Sequence, residues 1–155
     1  MNGADSTATA LVADIVERFH EAHRRDLQAL AEQLSGLHPS PEAEALQAHL
    51  KRFAAALEQH MFKEEMRLFP MIEQGGSPLI GALIDDIARE HAAHEADVDT
   101  LKALRQALPT LPPPLAAPLD ERLGRFLTEL AEHAALEESR LFAPFAAAPR
   151  RPMPF

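Results

Sequence analysis

Apolar residues recur along nearly the whole 155-residue chain at the three- and four-residue spacing of an α-helix. Leu11, Ile15, Phe19, Leu27, Leu30 and Leu34 form one stripe, which predicts a first helix over roughly residues 7–36. "SGLHPSP" interrupts it. Ser40 then supplies an N-cap, Pro41 takes the first helical position, and glutamates follow in the first turn, so a second helix starts there. It is expected to end near Phe69, because Pro70 lacks the amide hydrogen that a continuing helix needs. After the break "EQGGSP", Ser77-Pro78 repeats the cap-and-proline start and predicts a third helix reaching about Leu108. "PTLPPPLAAP" cannot be helical along its length, which puts the start of a fourth helix near Pro118 or Leu119. That helix is expected to end near Phe142, before Pro144. Four helices joined by short breaks predict an all-α, antiparallel, up-down-up-down four-helix bundle. The expected domain covers residues 1–146, and the Pro-rich residues 147–155 are expected to form a flexible tail.

Polar residues interrupt the stripes in a repeating way. "LEQHMFKEEMRLFP" (57–70) and "LAEHAALEESRLFA" (130–143) agree at half their positions, including the His, both Glu, the Arg and the Leu-Phe pair. "FHEAH" and "EHAAH" share His-x-Ala-His on the first and third helices. His20 precedes His60 by 40 residues, and His91 precedes His133 by 42. The chain therefore reads as one helical hairpin written twice, with a pseudo-two-fold axis expected through the bundle. Two copies suit a closed bundle and not a solenoid.

Composition narrows the chemistry. Apolar residues make up 46% of the chain, enough for a core in a domain of this size. A formal net charge of −9 argues against nucleic acid and anionic membrane as partners. Cysteine is absent, which excludes disulfides, thiolate catalysis and cysteine-held clusters. Tyrosine and tryptophan are absent too, so no tyrosyl radical can form. "MNGADSTATA" carries no basic-then-apolar leader pattern, and no apolar run has the length of a membrane span. The expectation is a cytoplasmic protein, a monomer or homodimer. Eight histidines in a small acidic chain are what remains to be explained.

On a helix, His60 and Glu64 share one face about 6 Å apart along the axis. His133 and Glu137 repeat this, and His20 and His91 sit within the apolar stripes of the first and third helices. A buried carboxylate is costly unless it is paired or bound to a metal, and no Lys or Arg falls on these inner faces. Four His and two Glu suit two metal ions bridged by both carboxylates, each ion taking two imidazoles. An oxo or hydroxo bridge would complete five ligands and leave open positions for a small molecule. Imidazole with carboxylate suits iron, and also manganese or zinc. A single His-x3-Glu is common on helices; its duplication with a matched partner His is what carries the metal reading. Each His-x2-His remains ambiguous. His20 and His91, or His23 and His94, or all four, could face inward. His38 and His49 are expected to be solvated. Glu65 and Glu138, rotated by about 100° from the bridging positions, are expected in solvent or behind the ligands.

At these residues the sequence resembles the hemerythrin-like, HHE cation-binding family, from about Ile15 to Phe145. The strings that carry the resemblance are "FHEAHRRDL", "EQHMFKEEMRLFP", "EHAAHEADV" and "EHAALEESRLF". Within the family it is most similar to di-iron proteins associated with repair of iron centres under nitrosative and oxidative stress. The resemblance implies His20, His60, His91 and His133 as iron ligands and Glu64 and Glu137 as bridges. It thus selects the first member of each His-x2-His. The oxygen-carrying members use five His, with His-x3-His on the third helix; here position 95 is Glu and the fourth helix carries His-x3-Glu. The resemblance implies a non-haem di-iron protein that binds or reacts with nitric oxide, oxygen or peroxide. Its partners would be an iron–sulfur protein or an electron donor. The alternative is a reversible oxygen-binding or iron-storing module without turnover. Whether the chain is an enzyme is left open.

Overall fold

The computed structural model describes residues 3–146, and every regular element among them is helical. Four long helices are followed by a short one. Helix α1 covers residues 3–35 as Gly3–Asp14, a π-helical turn Ile15–His20, and Glu21–Ser35. Helix α2 covers residues 41–73 as Pro41–Lys63, a π-helical turn Glu64–Leu68, and Phe69–Glu73. Helix α3 is Ile80–Ala107. Helix α4 covers residues 113–141 as Pro113–Leu136 followed by a π-helical turn Glu137–Leu141, and α5 is the single turn Ala143–Ala146. The expected tail, 147–155, lies outside the described residues.

Cross-helix contacts order these helices around the bundle. Arg24 meets Glu58, and the Gln47 side chain donates to the Leu34 carbonyl, joining α1 to α2. Lys63 meets Asp86, and His49 donates to the Asp97 carbonyl, joining α2 to α3. Arg105 grips Asp120 from α3 to α4, and Arg122 and Arg125 close the ring onto Asp26 of α1. In the α1–α2 and α2–α3 pairs, higher numbers on one helix meet lower numbers on the next, so these neighbours run in opposite directions.

Local chemistry explains most boundaries. The Ser40 hydroxyl accepts from the Ala43 amide at 3.0 Å, with Pro41 behind it, as the sequence predicts. Helix α2 ends where Gly75 and Gly76 adopt φ of 91° and 111°, a left-handed backbone that favours glycine.

Three boundaries differ from expectation. Helix α2 passes through Pro70 to Glu73. In an unbroken α-helix that ring would clash with the Met66 carbonyl, but the widened turn just before it opens the ladder at that point. Ser77 does not cap α3. Its hydroxyl accepts from the Leu79 amide inside a turn, and the helix begins one residue later. Helix α4 starts at Pro113, five residues before the expected Pro118. Pro113 and Pro114 occupy the first turn, where no amide hydrogen is needed, so only Pro118 costs the helix a bond.

Two apolar clusters fill the bundle. One gathers Leu30, Leu46, Phe53, Leu57, Leu101, Leu119 and Phe126. The other gathers Ile15, Leu68, Phe69, Ile72, Ile87, Leu141 and Phe142. Burying each such side chain contributes roughly 1.5–3 kcal/mol, which lets the bundle tolerate a polar layer between them. That layer consists of residues 20–23, 60–64, 91–94 and 133–137. None of the described helices is long and apolar enough to cross a membrane.

Candidate metal centre

All six residues singled out by the repeat lie in this layer, and all are buried. Each long helix except α3 changes its hydrogen-bonding pattern there. The Glu21 amide reaches back five residues to Val16, the Phe69 amide to Glu64, and the Phe142 amide to Glu137. His20 thus closes one π-helical turn, while Glu64 and Glu137 open the other two. Such turns hold one residue more than an α-helical turn and occur mostly at functional sites.

The side chains converge in two groups. His20, Glu64, His133 and Glu137 each offer a ligand atom within 4.8 Å of the others, and His60, Glu64, His91 and Glu137 do the same. Both carboxylates belong to both groups. Oxygen and nitrogen face each other closely: His20 Nε2 lies 3.1 Å from Glu64 Oε1, His91 Nε2 3.1 Å from Glu137 Oε1, and His133 Nε2 3.0 Å from Glu137 Oε2. Two imidazole nitrogens, His20 Nε2 and His133 Nε2, also approach to 3.2 Å. Yet both Glu137 oxygens, Glu64 Oε2 and His91 Nε2 are buried without a hydrogen bond. Leaving such atoms unpaired is expensive. Lone pairs that converge without aligned protons between them are what a cation would satisfy. The donor set, imidazole plus carboxylate, fits a metal cofactor such as iron.

The outward ring nitrogens are held as well. His20 Nδ1 donates to Glu65 at 2.9 Å, His60 Nδ1 to Glu90 at 2.9 Å, and His91 Nδ1 to Glu138 at 3.0 Å. Arg24 braces Glu65, and Lys63 turns away from the centre to pair with Asp86 and Glu90. These bonds direct Nε2 inward and fix the tautomer. Glu65 and Glu138 therefore sit behind histidines of the neighbouring helix. The repeat does not single out Glu90, although a signal for it exists: it directly precedes His91, facing the second helix.

Of the ambiguous histidines, His20 and His91 join the two groups, while His23 and His94 lie beside them. His23 Nε2 is 3.2 Å from His133 Nδ1, and the His94 ring sits edge-on to His60 at 4.8 Å. His38 is exposed, as expected. His49 is not: it is buried, because the Asp97 carbonyl accepts its Nε2 hydrogen across the bundle.

Electrostatics divides the histidines. Burial, reinforced by neighbouring imidazoles, lowers His23 to about 3 and His94 to about 4. Burial likewise lowers His133 to about 3, against the pull of Glu64. Burial also opposes charge on His91, but the Glu137 carboxylate beside its Nε2 and the hydrogen bond to Glu138 outweigh it and raise the group to about 9. His60 is raised in the same way, Glu64 overcoming burial.

The metal-free protein should therefore depend on pH. The ordinary imidazole value is about 6.5. Histidines lowered by folding contribute stability that is complete above about 6.5 and lost as pH falls towards 3–4. His91 contributes stability complete below about 6.5 and lost as pH rises through about 9. Three depressed groups outweigh one strongly raised group. The melting temperature of chelator-treated protein is expected to fall more steeply below pH 6.5 than above it. A flat acid limb between pH 6.5 and 4 would contradict the neutral burial of these rings.

A cleft of about 890 Å³ opens between α3 and α4 and reaches the imidazoles of His60, His91 and His133. Leu57, Val98, Leu127 and Ala131 line its walls, with Glu95, Asp99 and Lys102 also bordering it.

Residues 11–145 match the family model of the hemerythrin HHE cation-binding domain. Among curated proteins, the iron-sulfur cluster repair protein YtfE of Yersinia pestis (strain Pestoides F) is 34% identical over 144 residues, covering 86% of this chain and 64% of its own. The proteins of the same name from Yersinia pseudotuberculosis (serotype O:1b, strain IP 31758) and Yersinia pestis bv. Antiqua (strain Angola) give the same identity and coverage. The chain thus spans just under two thirds of the length of these relatives.

Proposed function

The chain belongs to the hemerythrin HHE cation-binding family, and we propose that its two fused His/Glu groups hold two iron ions. One ion would take His20 and His133, the other His60 and His91, with Glu64 and Glu137 shared. The observation that carries this reading is that both four-residue groups contain the same two carboxylates. Two carboxylate charges set between two divalent cations cancel half of the charge the layer would have to bury, and an oxo or hydroxo bridge would cancel more.

When bound, such a pair supplies redox chemistry and open coordination positions for a small molecule. The chain's own residues do the rest. Glu65, Glu90 and Glu138 hold their histidines in the tautomer that presents Nε2 inward. The apolar clusters on either side keep bulk water from the layer. The α3–α4 cleft gives nitric oxide, oxygen or peroxide a largely apolar path to three of the four imidazoles. We read the protein as acting in the response to nitrosative or oxidative stress, through repair of iron centres. The relatives called iron-sulfur cluster repair proteins support that reading, and it makes iron–sulfur proteins the natural recipients.

The test is elemental analysis with optical spectroscopy on protein purified without chelator and loaded anaerobically with ferrous iron. Two irons per chain are expected, with near-ultraviolet bands appearing on oxidation and new visible bands when the reduced protein meets nitric oxide. Fewer than two metal ions per chain would defeat the paired centre. Two manganese or two zinc ions after growth in iron-replete medium would defeat the choice of iron. Reversible oxygen uptake without net oxidation would replace repair by an oxygen-binding role.

A further inference from the structure

We propose that the two metal positions are unequal, and that the ion held by His20 and His133 is the one released first. This rests on the two-iron reading. The asymmetry lies in what stands behind each histidine.

The internal repeat pairs His20 with His91, His60 with His133, and Glu65 with Glu138. Two of the outward hydrogen bonds obey it: Glu65 accepts from His20, and Glu138 from His91. The third does not. Glu90, directly before His91, accepts from His60 Nδ1. The matching residue directly before His20 is Phe19. Its ring cannot accept that bond and instead stacks on His133, with centroids 5.4 Å apart and planes 11° from parallel. His133 Nδ1 faces His23 Nε2 at 3.2 Å.

The inner contacts decide where the protons sit. His133 Nε2 points at Glu137 and His60 Nε2 at Glu64, so each Nε2 is the ligand atom. Each Nδ1 then carries the hydrogen. His60 donates it to a carboxylate, whereas His133 donates it to a neutral imidazole. His23 is left with its own hydrogen on Nδ1, a buried atom with no partner. A carboxylate accepting this hydrogen pushes electron density into the ring and makes Nε2 a stronger ligand; a neutral acceptor does so far less. Neighbouring cations do not cancel the difference, since Arg24 braces Glu65 behind one metal position and Lys63 braces Glu90 behind the other. The position with His60 and His91 thus has two carboxylate-backed imidazoles. The position with His20 and His133 has one.

Ordered release also protects the fold. With one cation retained between them, Glu64 and Glu137 are never both left uncompensated in the closed layer. A protein that donates iron can then give up one ion and remain folded for reloading.

The experiment loads the full chain with ferrous iron, adds excess chromogenic ferrous chelator without oxygen, and follows iron leaving over time. Two phases of about one ion each are expected, separated by roughly tenfold or more in rate, the size of effect that outer carboxylates have on metal sites. Glu65→Gln should accelerate the fast phase alone. Glu90→Gln should accelerate the slow phase alone by roughly tenfold, and the more exposed Glu138→Gln should do the same, which guards against a folding defect in either variant. A single phase from protein that starts with two irons overturns the inference. So does a slow phase that neither Glu90→Gln nor Glu138→Gln changes, or one that responds to Glu65→Gln. A starting content below two irons overturns the paired-centre reading itself, and this inference with it.

Discussion

Glu64→Ala protein is expected to lose both metal ions, while Glu65→Ala protein keeps most of its metal. The two residues are adjacent, equally charged in solution and drawn from the same duplicated Glu-Glu, so composition does not separate them. Position does. Glu64 is fully buried, belongs to both four-residue groups, and has one carboxylate oxygen with no hydrogen-bond partner. Glu65 is part-exposed and reaches only the outward nitrogen of His20, sharing its charge with Arg24. Removing a shared ligand weakens both positions at once. Removing an outer acceptor weakens one position by about tenfold to a hundredfold, which a tightly held ion survives at ordinary concentrations. Metal content after exhaustive dialysis, measured on both variants, checks this. Equal losses would mean that the inward face of α2 is wrongly assigned.

Chelation is expected to lower the melting temperature by roughly 15–30 °C for two ions and about half that for one, so the size of the drop should report how many ions were bound. In the proposed centre, metal binds the folded state, where the candidate ligands of all four long helices meet, and the unfolded chain holds no such site. At a free metal concentration a thousandfold above the dissociation constant, each ion adds about 4 kcal/mol of stability. A domain of this size shifts by about 2–4 °C per kcal/mol. Titrating free metal tenfold upward should add about 1.4 kcal/mol per bound ion, so two ions give twice the slope of one. Denaturant unfolding at several buffered metal concentrations measures it. A slope corresponding to one ion would contradict the paired centre. An unchanged melting temperature after the metal has gone would mean that metal and fold are uncoupled. Glu64→Ala protein should show almost no dependence on added metal, tying this result to the first.

The two results have a common origin in a layer that is unfavourable by itself. Six imidazoles and two carboxylates are enclosed between two apolar clusters, with several lone pairs unmatched. Hydrophobic burial on either side stabilises the bundle enough to tolerate them. With the proposed metal centre in that layer, stability is expected to depend on the bound ions.

Much of this was legible along the chain, because an α-helix converts spacing into direction. Periodic leucines announced four helices, Ser40-Pro41 marked a start, and duplicated His-x3-Glu placed imidazole and carboxylate on one face. Such features depend on residues within a turn or two of one another. What linear order could not supply was every relation between turns of different helices. Pro70 reads as a helix stop and Pro113 as part of a non-helical connection, yet a widened turn accommodates the first and the proline-tolerant first turn of a helix the second. The widened turns themselves have no sequence signature. His49 reads as solvated along the chain, but a carbonyl from α3 lies against it in the bundle. The choice of His20 over His23, the carboxylate behind His60 and the imidazole behind His133 were decided by which side chains the folded bundle brings opposite each other. The chain by itself determined which faces carry metal-binding chemistry; the packed bundle alone decided which atoms meet. Hydrogen bonds between helices depend on separations of a few ångströms, and those separations are set only when the apolar clusters close.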